Sequence, residues 1–183
     1  PFSAFYRLND NFCLCSSPER FLKKHGDKII SQPIKGTIQR DSDVGLDTIN
    51  KEILLNSEKD FSENIMIVDL VRNDLSRFAR KSTVHVEELM GLYGFRHVYH
   101  LISTISCHMD NKYDLIDALR MSFPMGSMTG APKIRAMELI EKYEKTLRGI
   151  YSGSIGYIDP EQNCDFNVVI RSILYNQSSN YLS

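Results

Sequence analysis

Two residues set the first chemical possibility. Glu19, in SPERFLKK, and Lys35, in QPIKGTIQR, are a carboxylic acid and an amine on neighbouring elements. Brought together, such a pair can protonate a leaving group and attack carbon. Each has a plainer explanation, a glutamate at a helix start and a solvated lysine. Glu63, in ENIMIVDLVRND, precedes an apolar helix face. A carboxylate there can supply one ligand to Mg2+, which favours hard oxygen donors and keeps several waters; the alternative is a first-turn glutamate favoured by the helix dipole. In GSMTGAPK, Gly126 and Gly130 let the backbone approach a ligand closely, and amides at a helix N-terminus attract anions. The run does not satisfy the phosphate-loop pattern, and an ordinary turn into a helix explains it equally. Arg171 lies in the apolar run FNVVIRS, where an isolated charge is costly. It either faces solvent or pairs with a carboxylate; with Gly153, Gly156 and the Tyr151 hydroxyl before it, it suits a small ligand bearing carboxylates. His100, in YHLIS, has the surroundings of a satisfied core histidine, and the other four histidines show no triad or metal spacing.

These groups need elements to hold them. SAFYRL and NFCLCSS read as strands around the polar turn Asn9-Asp10-Asn11. SPERFLKK then predicts a short helix, with Ser17 as cap, Pro18 in the first turn and Glu19 near the positive end. DKIISQP returns as a strand stopped by Pro33, which leaves Lys35 on the loop after it. From Val44 to about Leu75 the pattern is helical: Ile49, Ile53 and Leu54, then Ile65, Val68 and Val71, recur at three-to-four spacing, with a break expected at Ser57 or Ser62. STVHVEEL and HVYHLISTISCHM predict strands, YDLIDALRMSF an amphipathic helix, and GSMTGAPK a loop entering the helix PKIRAMELIEKYEKTL. SGSIGYID and FNVVIRSILYN predict two more strands. Strands at both ends with helices between them, without regular alternation, argue for an α+β fold with a largely antiparallel sheet.

The chain has 183 residues, a net charge of −1 and 42% hydrophobic content. That suits one domain or most of one, with a real core rather than disorder. The balanced charge gives no reason to expect a nucleic acid or an anionic membrane as partner. No apolar run approaches the roughly 20 residues that span a bilayer, and PFSAFYRL lacks the features of a signal peptide. With no initial Met, the chain is expected to begin inside a longer protein. Cys13, Cys15, Cys107 and Cys164 include no C-x-x-C pair, and reduced thiols in a cytoplasmic protein are expected.

The segments PFSAFY, SPERFL, PIKGT, ENIMIVDLVRNDLSRFA, HLIST, FPMGSMTGAPKIRAMELIEKYE, RGIYSGSIGYID and FNVVIRSI cover essentially the whole chain. In their order and spacing they resemble the chorismate-utilising enzymes, the family that includes anthranilate synthase component I. The resemblance implies the chorismate-binding fold, a sandwich of antiparallel sheets enclosing helices, here truncated, with residues 1–183 forming part of one catalytic domain. Anthranilate synthases usually carry Ala at the position of Lys35. A Lys there resembles the members that aminate chorismate at C4 on the route to 4-aminobenzoate and folate. For those members the resemblance implies that Lys35 attacks C2 while the C4 hydroxyl leaves, and that ammonia then adds at C4 and expels the lysine. Such a lysine must lose its proton, which an enclosed site favours by desolvation. Hydroxide leaves poorly, so an acid is needed, and Glu19 matches the family's SPE segment.

The same resemblance assigns Glu63 to Mg2+, which would orient the ring carboxylate of chorismate. It assigns Tyr151 and Arg171 to ligand carboxylates, Ser127, Thr129 and the backbone at Gly130 to the lining of the site, and His100 to a polar contact. It implies a glutamine amidotransferase, as subunit or fused domain, to supply ammonia, since nothing in this chain resembles one. The family's domain also extends further at both ends, with a glycine-rich strand and a helix bearing more Mg2+-binding glutamates after the region matched here. Anthranilate or isochorismate formation, or a non-catalytic binding fragment, are the alternatives.

Overall fold

The computed structural model describes residues 1–183. The chain opens with the hairpin β1 (Phe2–Leu8) and β2 (Asn11–Ser17), turned at Asn9 and Asp10. Three strands follow, β3 (Arg20–His25), β4 (Lys28–Gln32) and β5 (Ile34–Gln39). Two helices, α1 (Val44–Leu55) and α2 (Glu58–Ser76), lead to β6 (His85–Gly94) and β7 (Val98–His108). Then come α3 (Leu115–Ser122), the single turn α4 (Gly126–Thr129) and α5 (Lys133–Tyr143). The chain ends with β8 (Gly156–Ile158), β9 (Cys164–Asn167), β10 (Ser172–Asn176) and β11 (Tyr181–Leu182).

All strand pairs are antiparallel and form two sheets, β1-β2-β10-β11 and β5-β7-β4-β3-β9-β8, with β6 also paired to β7. The fold is α+β, as the strand and helix order implies. β4 and β5 lie end to end along one edge of β7, broken at Pro33, whose missing N–H cannot continue the ladder. Its carbonyl still accepts from Ser103 N–H at 3.2 Å. The chain crosses from one sheet to the other twice, at Ser17–Glu19 between β2 and β3 and at Val168–Arg171 between β9 and β10. Val168 N–H donates to the Glu19 carbonyl at 3.1 Å, so the two crossings lie side by side.

Several local expectations need correction. SPERFLKK is not a helix. The Ser17 hydroxyl accepts from Glu19 N–H only two residues on, at 3.2 Å, a local turn rather than a cap. From Arg20 onward the backbone bonds are taken by β4 and β9. Lys35 lies on a strand, not a loop. FNVVIRSILYN is two strands in different sheets, divided where Val169 N–H bonds Gly153 and Arg171 turns to φ 50°. SGSIGYID is a strand only over Gly156–Ile158, and GSMTGAPK contains the turn α4. The helical break falls at Ser57, whose hydroxyl accepts from Asp60 N–H at 3.2 Å. Of the apolar stripe, Leu54, Val68 and Val71 are buried, but Ile49, Ile53 and Ile65 are exposed: α1 turns Asp47 and Leu54 inward, and the contact face of α2 is set by Asn64, Ile67, Val68, Val71 and Leu75.

The main core joins that face to the seven-stranded sheet: Ile67, Val68, Val71 and Leu75 meet Leu22, Ile29, Ile105 and Cys107. Phe78, just past α2, is fully enclosed in the same cluster. Phe78→Ala is expected to destabilise the fold by about 3–5 kcal/mol, through lost burial and the cavity it leaves; urea unfolding measures it, and a change below 1 kcal/mol would place Phe78 outside the cooperative core. No helix is long and apolar enough to cross a membrane.

Candidate active site

The seam between the two sheets encloses a cavity of about 210 Å³ lined by Glu19, Lys35, Thr37, His100, Ser127 and Arg171, among others. Glu19 is held there by the first crossing. Its neighbour Arg20 fixes the start of β3 with a two-pronged pair to Asp165, both contacts 2.9 Å. β3 also carries a bulge after Arg20, where its register to β4 and β9 shifts and Phe21 and Leu22 both become buried. The Glu19 side chain is 5% exposed. Burial pushes its carboxyl up to about 7, and the Ser127 hydroxyl, Lys35, the Ile34 N–H and Arg171 only partly oppose that rise. Glu19 is therefore an acid that keeps its proton close to neutrality.

Lys35 reaches the same cavity through a second bulge. Between Ile34, opposite Ile102, and Thr37, opposite His100, β5 has one residue more than β7. Such bulges turn side chains away from the regular alternation of a strand. Gly36 makes the bulge possible: it sits at φ 98°, and a Cβ there would lie 3.0 Å from Leu101 Cδ1 and 3.2 Å from Leu54 Cδ1. Asn64 of α2 braces the segment, with its amide 3.5 Å from the Lys35 carbonyl and its oxygen accepting from Ser103 at 2.6 Å.

His100 stands on β7 beside this pair. Its Nδ1 is 2.7 Å from the Thr37 hydroxyl, and its ring packs on Phe95 with centroids 5.3 Å apart. Burial, then the charge of Arg171, holds it below the ordinary histidine value, which favours neutral imidazole. Arg171 comes from the second crossing. Its positive φ is uncommon for a non-glycine residue and turns the chain between the sheets.

The structure thus brings Glu19, Lys35, His100, Ser127 and Arg171 to one cavity. It does not bring the other candidates there. The Thr129 hydroxyl is spent on the Met125 carbonyl at 3.0 Å, and Gly130, at φ 133°, serves the turn between α4 and α5. Tyr151 lies in a separate hollow of about 830 Å³ with Arg148, Phe12 and Tyr175. Glu63 is half-buried on α2, one residue from Asn64, with Lys59 at 3.8 Å. Nowhere do three His, Cys, Asp or Glu side chains gather as a metal-ligand group. Mg2+ takes six oxygens in near-octahedral order, with waters and substrate oxygens supplementing one or two carboxylates. One carboxylate facing a lysine does not fit a complete Mg2+ site.

The sequence reading missed Thr37 and the ion pair of Asp74 with Lys133. Thr37 follows Lys35 by two positions, the spacing of one strand face, but the segment was read as a loop. Asp74 carried a clearer signal: it falls on the apolar face of α2 beside Val71 and Leu75, where a carboxylate needs a partner.

A family model described as chorismate binding enzyme matches residues 1–183. Aminodeoxychorismate synthase component 1 of Klebsiella aerogenes is 44% identical over 183 residues, all of this chain and 41% of that protein. The protein of the same name from Escherichia coli is 45% identical over 173 residues, 94% of this chain and 38% of its own length. The crystal structure of anthranilate synthase component I from Streptococcus pneumoniae superposes with a TM-score of 0.84 at 32% identity, over 94% of this chain and 38% of that one. The chain spans about two fifths of these relatives. With the match running through both sheet crossings, both bulges and the cavity they enclose, the chain belongs to the chorismate-binding enzyme family.

Proposed function

We propose that this chain carries the amination of chorismate at C4, giving 4-amino-4-deoxychorismate, with Lys35 as nucleophile and Glu19 as acid. The observation that supports this reading is the meeting of Lys35 and a proton-retaining Glu19 in one cavity. Glu19 protonates the C4 hydroxyl, which departs as water when the C4–O bond breaks. The neutral amine of Lys35 forms a bond to C2, and the ring double bonds shift to C4. Ammonia then bonds to C4, the C2–N bond to Lys35 breaks, and one proton returns to Glu19. Arg171 pairs with a carboxylate of the substrate. His100, neutral and held by Thr37, offers a polar contact without adding charge beside Arg171.

The relatives' names supply the substrate class of this reading and the idea of a partner component. We assign that partner as a glutamine amidotransferase that delivers ammonia, and place both in the cytoplasm. Glu63 is the carboxylate that the family resemblance assigns to Mg2+; the remaining oxygens must come from elsewhere, and no step above runs through the metal.

The test is a product analysis. The full-length protein is incubated with chorismate and an ammonium salt, with and without Mg2+, and products are separated by chromatography with mass detection. The expected result is a Mg2+-dependent product with the mass of 4-amino-4-deoxychorismate. Anthranilate or isochorismate instead would refute amination at C4 and leave the family intact. Full activity without Mg2+ would remove Glu63 as a metal ligand.

A further inference from the structure

A second, smaller cavity lies behind the acid. It measures about 20 Å³ and is lined by Glu19, Ser31, Asp74 and Ser127 as well as apolar side chains that include Val71 and Val168. That volume exceeds the roughly 10–15 Å³ one water needs, and the polar lining supplies the two to four partners a buried water takes. Asp74 is the unusual member. It is 4% exposed; its Oδ2 receives the Lys133 ammonium at 2.5 Å, while its Oδ1 is buried with no partner in the protein. Lys133 also donates to the Ser122 carbonyl at 3.2 Å, so it is held firmly and offers nothing to Oδ1. A buried acceptor without a donor is rare in folded proteins and marks a place where one is supplied.

We propose that this cavity is a site for one water molecule, donating one hydrogen to Asp74 Oδ1 and the other to the Glu19 carboxyl, and that Asp74 with Lys133 thereby positions the acid. The two O–H bonds of the water serve two carboxyl oxygens, and a lone pair accepts from the Ser31 hydroxyl, since the Ser127 hydroxyl already bonds Glu19. The water matters most after Glu19 has given up its proton, when a buried carboxylate needs donors. Asp74 never touches substrate, so it is a positioning residue. The inference rests on Glu19 being the acid in the proposed amination. The charged and titratable groups facing Glu19 are Lys35 and Arg171, with His100 across the cavity; those facing Asp74 are Lys133 and Arg77.

Val71→Ile adds one methylene to the cavity wall and leaves both carboxyls in place. A crystal structure of the full-length protein is expected to show a water within hydrogen-bond distance of Asp74 Oδ1 and Glu19, and the variant to lack it. Loss of one donor to a charged group is expected to lower kcat about tenfold with little change in KM. It also favours the protonated acid, so the fall of kcat at alkaline pH moves to higher pH, which a merely destabilised protein would not show. Val168→Ile fills the same cavity from another element and serves if the first variant does not fold. No water in the parent structure, or displaced water with an unchanged kcat and pH profile, overturns the proposal. If instead Glu19→Gln keeps full activity, the acid assignment fails while the water site still stands or falls on the crystal structure.

Discussion

Lys35→Ala is expected to lower C4 amination by about a thousandfold or more, because a covalent route loses the atom that forms its bond. The fold should survive the change. Lys35 makes no ion pair, and the bulge that carries it depends on Gly36, Asn64 and the ladder to β7 rather than on its side chain. Lys35→Arg should be as inactive as alanine: it places a fixed positive charge beside Glu19, but guanidinium stays protonated and does not attack carbon. The pair of variants therefore separates a nucleophile from a cation that only binds substrate. In the alanine variant ammonia or water can reach C2 directly, so trace products should shift toward anthranilate-type or isochorismate masses. Chromatography with mass detection reads both effects. C4 amination at the parent rate in either variant would eliminate Lys35 as nucleophile.

The order of strands and helices was legible because hydrophobic period and turn residues are local signals. β7 was plain in HVYHLISTISCHM, where β-branched residues recur in a long run and the strand is buried on both faces. The site was harder to read, since it depends on backbone irregularities. Glu19 and Lys35 each sit next to a bulge, and one extra residue in a strand leaves no mark in a pattern of alternating side chains. The Ser-Pro-Glu run resembles a helix start because Ser and Pro favour helix N-termini and sheet crossings for the same local reason. They bond or restrict the backbone whatever the following residues do. Tertiary pairing with β4 and β9 then decided the outcome. Arg171 was recognisable as a costly charge in an apolar run, but its left-handed φ at the second crossing was not. The pairings of Thr37 with His100 and of Asp74 with Lys133 join residues distant in sequence, which a single chain read in order does not reveal.

Glu19→Gln should separate catalysis from stability, because the two move in opposite directions. Activity is expected to fall by about 10²–10⁴-fold, the usual worth of a general acid acting on a poor leaving group. Stability should rise, but only above mildly acidic pH. The folded-state carboxyl is raised from 4.5 to about 7. Below pH 4.5 both folded and unfolded chains hold the proton, and its contribution to stability is fully present. Between 4.5 and 7 the unfolded chain releases the proton while the folded chain retains it, so stability declines with rising pH. Above 7 the ionised group is buried and the decline is complete, at about 3 kcal/mol from 1.36 kcal/mol per pH unit. Glutamine keeps the size of the side chain and has no proton to lose. His100 titrates in the opposite sense, since its lowered value makes stability decline as pH falls below 6.5, but it does so in both proteins and cancels in the difference. Urea unfolding of the two proteins at pH 4, 6 and 8 should therefore show a gap in favour of glutamine that opens with pH. A gap that stays constant across that range would mean that Glu19 is ionised in the folded protein, and it would withdraw the acid from the mechanism along with the stability argument.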